Sequence, residues 1–399
     1  MEISPSPPLA PALFDFPPGR LWLSHCKDGP LPRASADAMA AILQTELRPW
    51  DLRWNEDFLD VLNALRESAA ALLDVEAQDI SLVTSTSSGL EAIALGFPWQ
   101  VDDEVLIPMD EFPSNRLPWL ALAQRGVRCR EVELWPGQPA ALPDGEIQPE
   151  QRLLDAIGPQ TRLIAVSWIR YQDGVRLDLA RLGRACQARG VHLVVDGIQG
   201  AGSMVPSLDG VSAFATGGHK GLLGLQGQGV LWTDRAFRQR LIPLGTWLAA
   251  PNTFSQSGQQ AIDEDHWSTD GRRLEAGSPS IVGCCALNAS LRLLLSVGGA
   301  ARIEQHIRVL QRRLLSQLQA MPGWMAESKR LTALLDAQRL GPILSFYRAP
   351  EVLDALLSRG EAQSISASMR HSFLRIAFHG WHTAADADRT AQWLGSTAA

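Results

Sequence analysis

The sequence predicts an α/β fold in which a mainly parallel sheet is covered by helices on both faces, followed by a smaller α+β domain. After residue 57, short apolar runs alternate with helix-like stretches, which is the pattern of βαβ units. One run, Leu193-Val194-Val195, is continuously apolar, as expected of a central strand buried on both faces. Beyond about residue 299 the alternation ends, and residues 302–320 form a strongly amphipathic helix pattern.

Seven apolar runs have the length of strands and predict a seven-stranded sheet. They cover residues 80–84, 105–108, 127–134, 163–169, 192–196, 213–216 and 229–233. Apolar residues at helical spacing predict helices over residues 57–73, 90–97, 115–124 and 178–189. Gly126 and Gly190 lie just past the last two, where glycine commonly ends a helix.

The composition and the apolar pattern divide the chain into three segments. Residues 1–20 are proline-rich and predict an N-terminal arm. Residues 21–299 contain the alternating pattern and predict one large domain. Residues 300–399 predict a small C-terminal domain, whose first helix carries an apolar stripe from Ile303 to Leu318.

Composition excludes several classes of protein. The 399 residues are 46% hydrophobic and 20% charged, values typical of a globular chain. The net charge is −7 without any Lys/Arg-rich run, so no nucleic-acid partner is expected. No segment is predicted to span a membrane, and the first residues lack the pattern of a signal peptide.

Cysteine and histidine usage indicates the compartment and argues against a metal. The five cysteines are scattered without metal-site spacing, which predicts neither disulfides nor a zinc site and favours the reducing cytoplasm. His379 and His382 have no third ligand nearby in sequence, so no metal is predicted there.

A hydroxyl-rich turn follows the first predicted strand. Thr86, Ser87 and Ser88 lie between that strand and the apolar helix at residues 90–97. Backbone amides, hydroxyls and the positive end of a helix dipole together form a cradle for a phosphate group. The alternative is ordinary capping of the helix by serine or threonine.

Two further strand ends carry an acid and a lysine. Asp196 ends the buried strand predicted at residues 192–196, where a carboxylate needs a partner; capping of the next turn is the alternative. Lys220 follows the run at residues 213–216 among glycines that leave room for a ligand; a solvated lysine is the alternative. The spacing of 24 residues (220 − 196) is one strand and one connection, so both side chains can emerge at neighbouring strand ends.

These features together fit one cofactor, pyridoxal 5′-phosphate. It needs a lysine for a Schiff base, an acid beside the pyridinium nitrogen and a cup for the phosphate. Lys220 would supply the amine, with a pKa lowered by burial or by a neighbouring cation. Asp196 would keep the ring nitrogen protonated, and Thr86, Ser87 and Ser88 would hold the phosphate.

Residues 196–199 (Asp-Gly-Ile-Gln) and 218–220 (Gly-His-Lys), in this order, resemble the class V aminotransferase superfamily of fold type I pyridoxal phosphate enzymes. This superfamily includes cysteine desulfurases, kynureninases and isopenicillin N epimerase-like proteins. The resemblance runs from about residue 21 to the C-terminus. It implies the fold type I architecture, an amino-acid substrate and a homodimer whose subunits share their sites.

The resemblance also implies further contacts with the cofactor. Phe112, in residues 111–115, would stack on the pyridine ring, with simple core packing as the alternative. Gln199 would hydrogen-bond the phenolic oxygen of the ring, and His219 would lie near the phosphate or the ring. Ser278, in residues 275–279, would reach the phosphate of the neighbouring subunit.

For the substrate, the resemblance implies that Arg375 on a late strand binds the carboxylate. A guanidinium suits this role because it grips a carboxylate with two parallel hydrogen bonds; a surface salt bridge is the alternative. Asn115 is the second residue implied to bind substrate.

Several positions depart from the family pattern. Residues 350–374 contain no cysteine, so the thiol-persulfide chemistry of desulfurases is not expected. Gly217 stands where a phosphate-binding Ser or Thr is usual, and Tyr171 stands where desulfurases carry Asn. Gly221 follows the lysine, where many relatives have Trp.

The predicted function is chemistry at the α-carbon of an amino acid, with Lys220 taking and returning the α-proton. An aminotransferase is favoured, and a lyase or an epimerase is the alternative, since one lysine serves all three reactions. A cofactor-free binding subunit is the alternative of another class; the presence of Lys220, Asp196 and Arg375 argues against it.

The aromatic content is unusual, with 13 Trp against 2 Tyr. Trp119, Trp168 and Trp381 lie close in sequence to candidate site segments. One hypothesis is that these three wall the substrate pocket and favour a bulky substrate. Core packing is the alternative and accounts for most of the tryptophans.

Overall fold

The computed structural model describes residues 6–135, 148–250 and 267–396. Its strands are β1 (Leu21–Trp22), β2 (Ile80–Val83), β3 (Glu104–Pro108), β4 (Arg128–Val132), β5 (Thr161–Ser167), β6 (His192–Asp196), β7 (Ala213–Gly217), β8 (Gly229–Thr233), β9 (Ile343–Tyr347), β10 (Ile365–Ser366), β11 (Ser368–Arg370) and β12 (Phe373–Ala377). Its α-helices are α1 (Arg33–Glu46), α2 (Asp60–Leu73), α3 (Thr86–Gly96), α4 (Leu117–Ala121), α5 (Glu150–Asp155), α6 (Leu179–Gln187), α7 (Arg235–Arg240), α8 (Ile281–Ser296), α9 (Gly299–Gln319), α10 (Met325–Asp336), α11 (Pro350–Ala362) and α12 (Ala384–Gly395).

Seven strands form the large sheet in the order β2-β8-β7-β6-β5-β3-β4. Strand β8 is antiparallel to β2 and β7, and the other neighbouring pairs are parallel. The central strand β6 sends Leu193 and Val195 into one apolar core and Val194 into another, because successive side chains of a strand point to opposite faces. The predicted mainly parallel seven-stranded sheet, buried on both faces, is confirmed.

Most predicted helices are present, with shifted ends. The helix expected at residues 57–73 is preceded by a π-helical turn over Trp54–Leu59. The helix expected at residues 115–124 is divided into α4 and two flanking 3₁₀ turns. Gly126 and Gly190 have positive φ angles of 77° and 66° and end the stretches before them, as predicted.

Helix α3 begins four residues earlier than predicted, at Thr86. The Ser85 Oγ accepts a hydrogen bond from the Ser88 amide at 3.0 Å, and the Ser88 Oγ accepts one from the Ser85 amide at 2.9 Å. This capping box satisfies two amides reciprocally. It places Thr86, Ser87 and Ser88 inside the first turn of the helix, at the end of β2.

The C-terminal part contains a three-stranded antiparallel sheet in the order β11-β12-β9. Helix α9 buries the predicted stripe, including Ile303 and Leu318. The chain bends by 67° between α8 and α9, at Gly298 with a φ of 96°. Strand β1 pairs with β10, and Ser24 bridges to Ala377, so residues 21–24 extend the C-terminal part. The division into domains near residue 299 stays a prediction.

Within the described ranges, no single helix has the length and apolar character needed to cross a membrane, although the bent pair α8 and α9 meets that criterion jointly. Both helices bury apolar residues in the large core, such as Leu287 and Leu291 of α8 and Leu310 and Leu314 of α9.

Candidate active site

Three neighbouring strand ends meet at the carboxyl edge of the large sheet, where ligands bind in open α/β folds. Ser167 at the end of β5 pairs with Asp196 at the end of β6, and Asp196 pairs with Ala215 of β7. Lys220 lies three residues beyond the end of β7. The Asp196 carboxyl and the Lys220 amine interact electrostatically. Asp196 and Lys220 thus lie near each other at neighbouring strand ends, as their spacing of 24 residues in the sequence predicted.

Asp196 is a buried acid whose carboxyl has one hydrogen bond to the residues that the structure describes. Its side chain accepts from the Ile198 amide at 3.0 Å, and the residue is 3% exposed. The pKa of this carboxyl is raised from 3.8 to about 7, mainly by burial and further by the charge of Glu111, while Ile198 and Lys220 oppose the rise. Asp196 can therefore hold or release a proton near neutral pH.

Lys220 is a half-buried residue whose amine has no hydrogen-bond partner in the described ranges. Its Nζ lies 5.8 Å from the centroid of the Phe112 ring. Burial lowers its pKa below 10.5, the charge of Arg375 acts in the same direction, and Asp196 opposes it. A lowered pKa favours the neutral amine, which is the form that attacks a carbonyl carbon or accepts a proton.

Glu111 holds the loop that carries Phe112. Its carboxylate accepts hydrogen bonds from the Ser167 amide at 2.7 Å, from the Ser167 hydroxyl and from the Phe112 amide at 3.3 Å. Burial raises the pKa of Glu111, while the Ser167 hydrogen bonds and the Arg170 charge lower it. The contacts attach the loop after β3 to the end of β5, beside Asp196.

The hydroxyls in the first turn of α3 have protein partners. Thr86 Oγ1 accepts a hydrogen bond from the Gly217 amide at 2.8 Å, Ser87 Oγ donates to Ser114 Oγ at 2.7 Å, and Ser88 closes the capping box. The amides of Thr86 and Ser87 make no hydrogen bond within the described part of the chain. Free amides at the N-terminus of an 11-residue helix are suited to holding a phosphate. A phosphate site at this helix N-terminus would depend on the Thr86 and Ser87 amides more than on the hydroxyls.

Arg375 on β12 reaches the same site from the C-terminal part. It is 4% exposed, and an Nη donates to the Tyr171 carbonyl at 3.0 Å. Its buried Nε has no hydrogen-bond partner among the residues that the structure describes. The residue is thus not part of a surface ion pair there. A buried guanidinium with a free donor can bind a carboxylate.

Gln199 and His219 adjoin the lysine. Gln199 donates from Nε2 to the Cys26 carbonyl at 3.1 Å, and its buried Oε1 has no partner within the described ranges. His219 is half-buried, and both burial and the charge of Lys220 lower its pKa. These positions are compatible with the cofactor contacts that the resemblance implies, and the two roles stay predictions.

Asn115 and Ser278 differ in their surroundings, and Asn115 interacts with Glu111. Asn115 has no exposed surface, and its Oδ1 accepts a hydrogen bond from Trp119 Nε1 at 3.2 Å. A substrate role for Asn115 stays a prediction that this enclosed position does not favour. Ser278 is exposed, next to Gly277 with a φ of 117°. An exposed serine is compatible with a role toward a neighbouring subunit, which also stays a prediction.

The three tryptophans considered for the pocket wall belong to the core. Trp119, Trp168 and Trp381 are 0%, 1% and 4% exposed. Trp168 meets the Phe214 ring edge-to-face at 6.0 Å, and Trp381 stacks on His379 at 4.6 Å. The pocket-wall hypothesis is therefore wrong, and core packing explains these residues.

An N-terminal segment, residues 24–29, is a part of the site that sequence reasoning missed. A Cβ on Gly29 would lie 2.2 Å from the Lys220 carbonyl oxygen, so the close approach requires glycine. His25 and Cys26 interact electrostatically with Lys220. The only sequence signal was the glycine itself, because these residues lie far from Lys220 along the chain.

A cleft of about 550 Å³ opens beside Phe112. Its walls include Phe112, Tyr171, Gln172 and Arg116. The Tyr171 ring meets the Phe112 ring edge-to-face, with centroids 5.3 Å apart and an angle of 78°. The cleft has the size of a small-molecule site.

Groups with free hydrogen-bonding capacity in the described ranges match the polar parts of pyridoxal 5′-phosphate. Lys220 offers an amine for an aldehyde, Asp196 an acid for a basic ring nitrogen, and Thr86 and Ser87 two amides for a phosphate. Gln199, whose Nε2 contacts the Cys26 carbonyl, adds a buried Oε1 without a partner in the described ranges. The described residues therefore fit this cofactor.

Comparison with known proteins agrees with this match. The sequence model of the class-V aminotransferases matches residues 52–337, a range that contains both Asp196 and Lys220. The chain belongs to the class-V aminotransferase family. Its cofactor is pyridoxal 5′-phosphate, and this family member is an enzyme.

Relatives of this class-V protein are named for different activities. A "Probable cysteine desulfurase" of Methanothermobacter thermautotrophicus is 29% identical over 287 residues, which cover 71% of this chain and 66% of that protein. The isopenicillin N epimerase of Streptomyces clavuligerus is 28% identical over 381 residues, 92% of each chain. The match thus spans about two thirds of the length of the desulfurase relative and nearly all of the epimerase.

Solved structures share the fold of this class-V protein. The cystine C–S lyase C-DES, in complex with its product cysteine persulfide, superposes with a TM-score of 0.80 at 21% identity, covering 94% of this chain and 97% of that one. The cysteine desulfurase CsdA of Escherichia coli gives a TM-score of 0.77 at 21% identity, over 96% of each chain. The predicted fold type I architecture is confirmed.

Proposed function

We propose that the protein is a pyridoxal 5′-phosphate-dependent lyase that removes the β-substituent of an amino acid. The observation that carries the proposal is the cluster of Lys220, Asp196 and Arg375: an amine with a lowered pKa, a buried acid and a buried guanidinium with a free donor. The names cysteine desulfurase and cystine C–S lyase among its relatives support elimination over the transamination that the sequence favoured.

Each residue of the cluster has a separate task. The bound cofactor would stabilise negative charge that develops at the substrate α-carbon. Lys220 would take the α-proton on Nζ, because burial favours its neutral form. Arg375 would bind the α-carboxylate and so orient the α-carbon toward Nζ. Asp196 would hold a proton beside the ring nitrogen, and the amides of Thr86 and Ser87 would hold the phosphate.

The substituent would leave the enzyme directly instead of being captured by a thiol. Residues 350–374, which precede Arg375, contain no cysteine. Cys26 lies beside Lys220, but it is 2% exposed and its Sγ is 3.4 Å from Ser368 Oγ. We therefore expect a free product rather than a protein-bound persulfide.

Epimerisation is the second candidate. Its specific support is the alignment with isopenicillin N epimerase, which covers 92% of both chains. Transamination remains the prediction made from the sequence. All three reactions begin with removal of the α-proton by Lys220, and the non-catalytic alternative is disfavoured by the same residues.

A homodimer with shared sites and a cytoplasmic location belong to this proposal. Ser278 is exposed, as a residue must be to reach a neighbouring subunit. The segment around it is anchored by the buried ion pair between Arg66 and Glu275, at 2.7 Å.

The test uses the purified protein loaded with pyridoxal 5′-phosphate. With 3-chloro-L-alanine or S-methyl-L-cysteine we expect release of pyruvate and ammonia, abolished in Lys220→Ala and retained in Lys329→Ala, an exposed lysine on α10. The chain has three lysines, Lys27, Lys220 and Lys329, so borohydride reduction followed by peptide mass spectrometry identifies the attachment residue directly.

Other products of the same incubation would contradict the lyase proposal in distinct ways. Accumulation of pyridoxamine phosphate would indicate transamination. Conversion of an L-amino acid into its D-isomer without loss of a substituent would indicate epimerisation. A protein that retains no covalently attached cofactor after reduction would indicate a binding subunit.

A further inference from the structure

Tyr171 lies next to residues of the candidate active site, but the proposed reaction assigns no role to its side chain. Its backbone carbonyl accepts the hydrogen bond from Arg375 at 3.0 Å, and its ring meets Phe112 at 5.3 Å. It also lines the 550 Å³ cleft. Tyr171 thus contacts both Arg375, which is proposed to bind the substrate carboxylate, and the Phe112 ring, whose centroid lies 5.8 Å from the Lys220 Nζ.

The hydroxyl of Tyr171 is arranged to give away its proton. The buried Gln172 side chain donates from Nε2 to the Tyr171 oxygen at 2.8 Å. The oxygen is thus an acceptor in that contact, and no acceptor for its own proton is found in the described ranges. This proton is available to a molecule in the cleft, and the Gln172 donor would stabilise the phenolate left behind.

We propose that Tyr171 is the general acid that protonates the departing β-substituent, an inference that rests on the proposed lyase function. As the bond between Cβ and the substituent breaks, its electron pair goes to the substituent, which takes the Tyr171 proton and leaves neutral. The electron pair of the Cα–H bond, whose proton goes to Lys220, forms the Cα=Cβ bond. Water in the open cleft then returns a proton to the phenolate.

This role defines a substrate class. Thiolates and alkoxides are poor leaving groups at neutral pH and gain most from a proton supplied during bond cleavage. Chloride leaves without one. The substrate is accordingly an amino acid whose β-substituent departs as a thiol or an alcohol, with the substituent in the cleft between Phe112 and Gln172.

The experiment compares two substrates in Tyr171→Phe. With S-methyl-L-cysteine we expect kcat/KM to fall by about 100-fold or more, the scale of general acid catalysis. With 3-chloro-L-alanine we expect a change below about twofold, because the variant keeps the ring and its contact with Phe112. Tyr347→Phe, at the exposed second tyrosine on β9, is the matched control and should change neither value.

The outcomes separate this role from the lyase function itself. An equal loss with both substrates, or no loss with S-methyl-L-cysteine, would overturn the role of Tyr171 while leaving the lyase intact. A wild-type protein that eliminates from neither substrate would overturn the lyase proposal and this role with it. Unchanged circular dichroism and unchanged visible absorbance of the bound cofactor verify that Tyr171→Phe is folded and loaded.

A second measurement does not depend on turnover. With only two tyrosines in the chain, 3-fluorotyrosine labelling gives two fluorine resonances, assigned by the two Tyr→Phe variants. Addition of S-methyl-L-cysteine to the labelled Lys220→Ala protein should shift the Tyr171 resonance and leave the Tyr347 resonance in place. A resonance of Tyr171 that does not respond at saturating ligand would overturn the contact.

Discussion

Replacement of Asp196 by Asn tests whether the buried Asp196 carboxyl lowers the free energy of unfolding. The Asn Oδ1 can keep the hydrogen bond from the Ile198 amide at 3.0 Å, so the change removes the ionisation and little else. The carboxyl has a pKa of about 7 in the folded protein against 3.8 for an unperturbed group. At about 1.36 kcal/mol per pKa unit, this difference corresponds to about 4 kcal/mol.

The direction of the pH dependence follows from the protonation of the Asp196 carboxyl in the folded and the unfolded chain. Below pH 3.8 the carboxyl is protonated in both the folded and the unfolded chain, and its burial carries no ionic cost. As the pH rises toward 7, the unfolded chain ionises while the folded chain resists, and stability is lost. Above pH 7 the full cost is present.

We therefore expect cofactor-free Asp196→Asn to be more stable than the cofactor-free wild type, by about 4 kcal/mol at pH 8 and about 1.5 kcal/mol at pH 5. Urea denaturation at the two pH values measures the difference. Asp57→Asn is the control. Because Arg53 lowers the pKa of Asp57, this substitution should decrease the free energy of unfolding instead of increasing it. A gain for Asp196→Asn that is equal at pH 5 and pH 8 would refute the reasoning.

Two further predictions concern charges around the site. Glu111→Gln removes a charge that raises the pKa of Asp196, so the pH 8 stability gap between Asp196→Asn and its parent should shrink in that background; an unchanged gap would contradict the coupling. Arg66→Met leaves the buried Glu275 carboxylate unpaired and should lower the free energy of unfolding by about 3–5 kcal/mol, whereas Arg53→Met, in an exposed pair, should cost far less. Urea denaturation at pH 7 checks both ion pairs, and equal losses would contradict the buried pair's larger role.

The strands were predictable because burial on both faces leaves a strong mark in the sequence. A strand such as β6 has apolar side chains on both sides of the sheet, so its residues form an uninterrupted apolar run. The start of α3 was less predictable. The side chain of Ser88 closes a hydrogen-bonded box with Ser85, and this pairing extends the helix into a segment that resembles a loop by composition.

Part of the site was predictable for a similar reason. Asp196 and Lys220 stand at the ends of apolar runs, and parallel strands bring such ends to one edge. Arg375 was accessible only through the family resemblance, since nothing near it in sequence indicates a partner. The tryptophan hypothesis was wrong because proximity in sequence to a site residue does not decide whether a side chain points into a cleft or into the core.

The sequence by itself determined the fold class and the cofactor, because strand periodicity and strand-end chemistry are local properties of the chain. It also predicted Lys220 as the residue that binds the cofactor, which borohydride reduction tests. Only the tertiary structure decided which side chains surround that lysine. It brought residues 24–29 against Lys220, attached the Phe112 loop to β5 through Glu111, and joined Arg375 to the Tyr171 carbonyl. These contacts join distant parts of the chain, so their geometry depends on how the sheet, the N-terminal segment and the C-terminal part pack together.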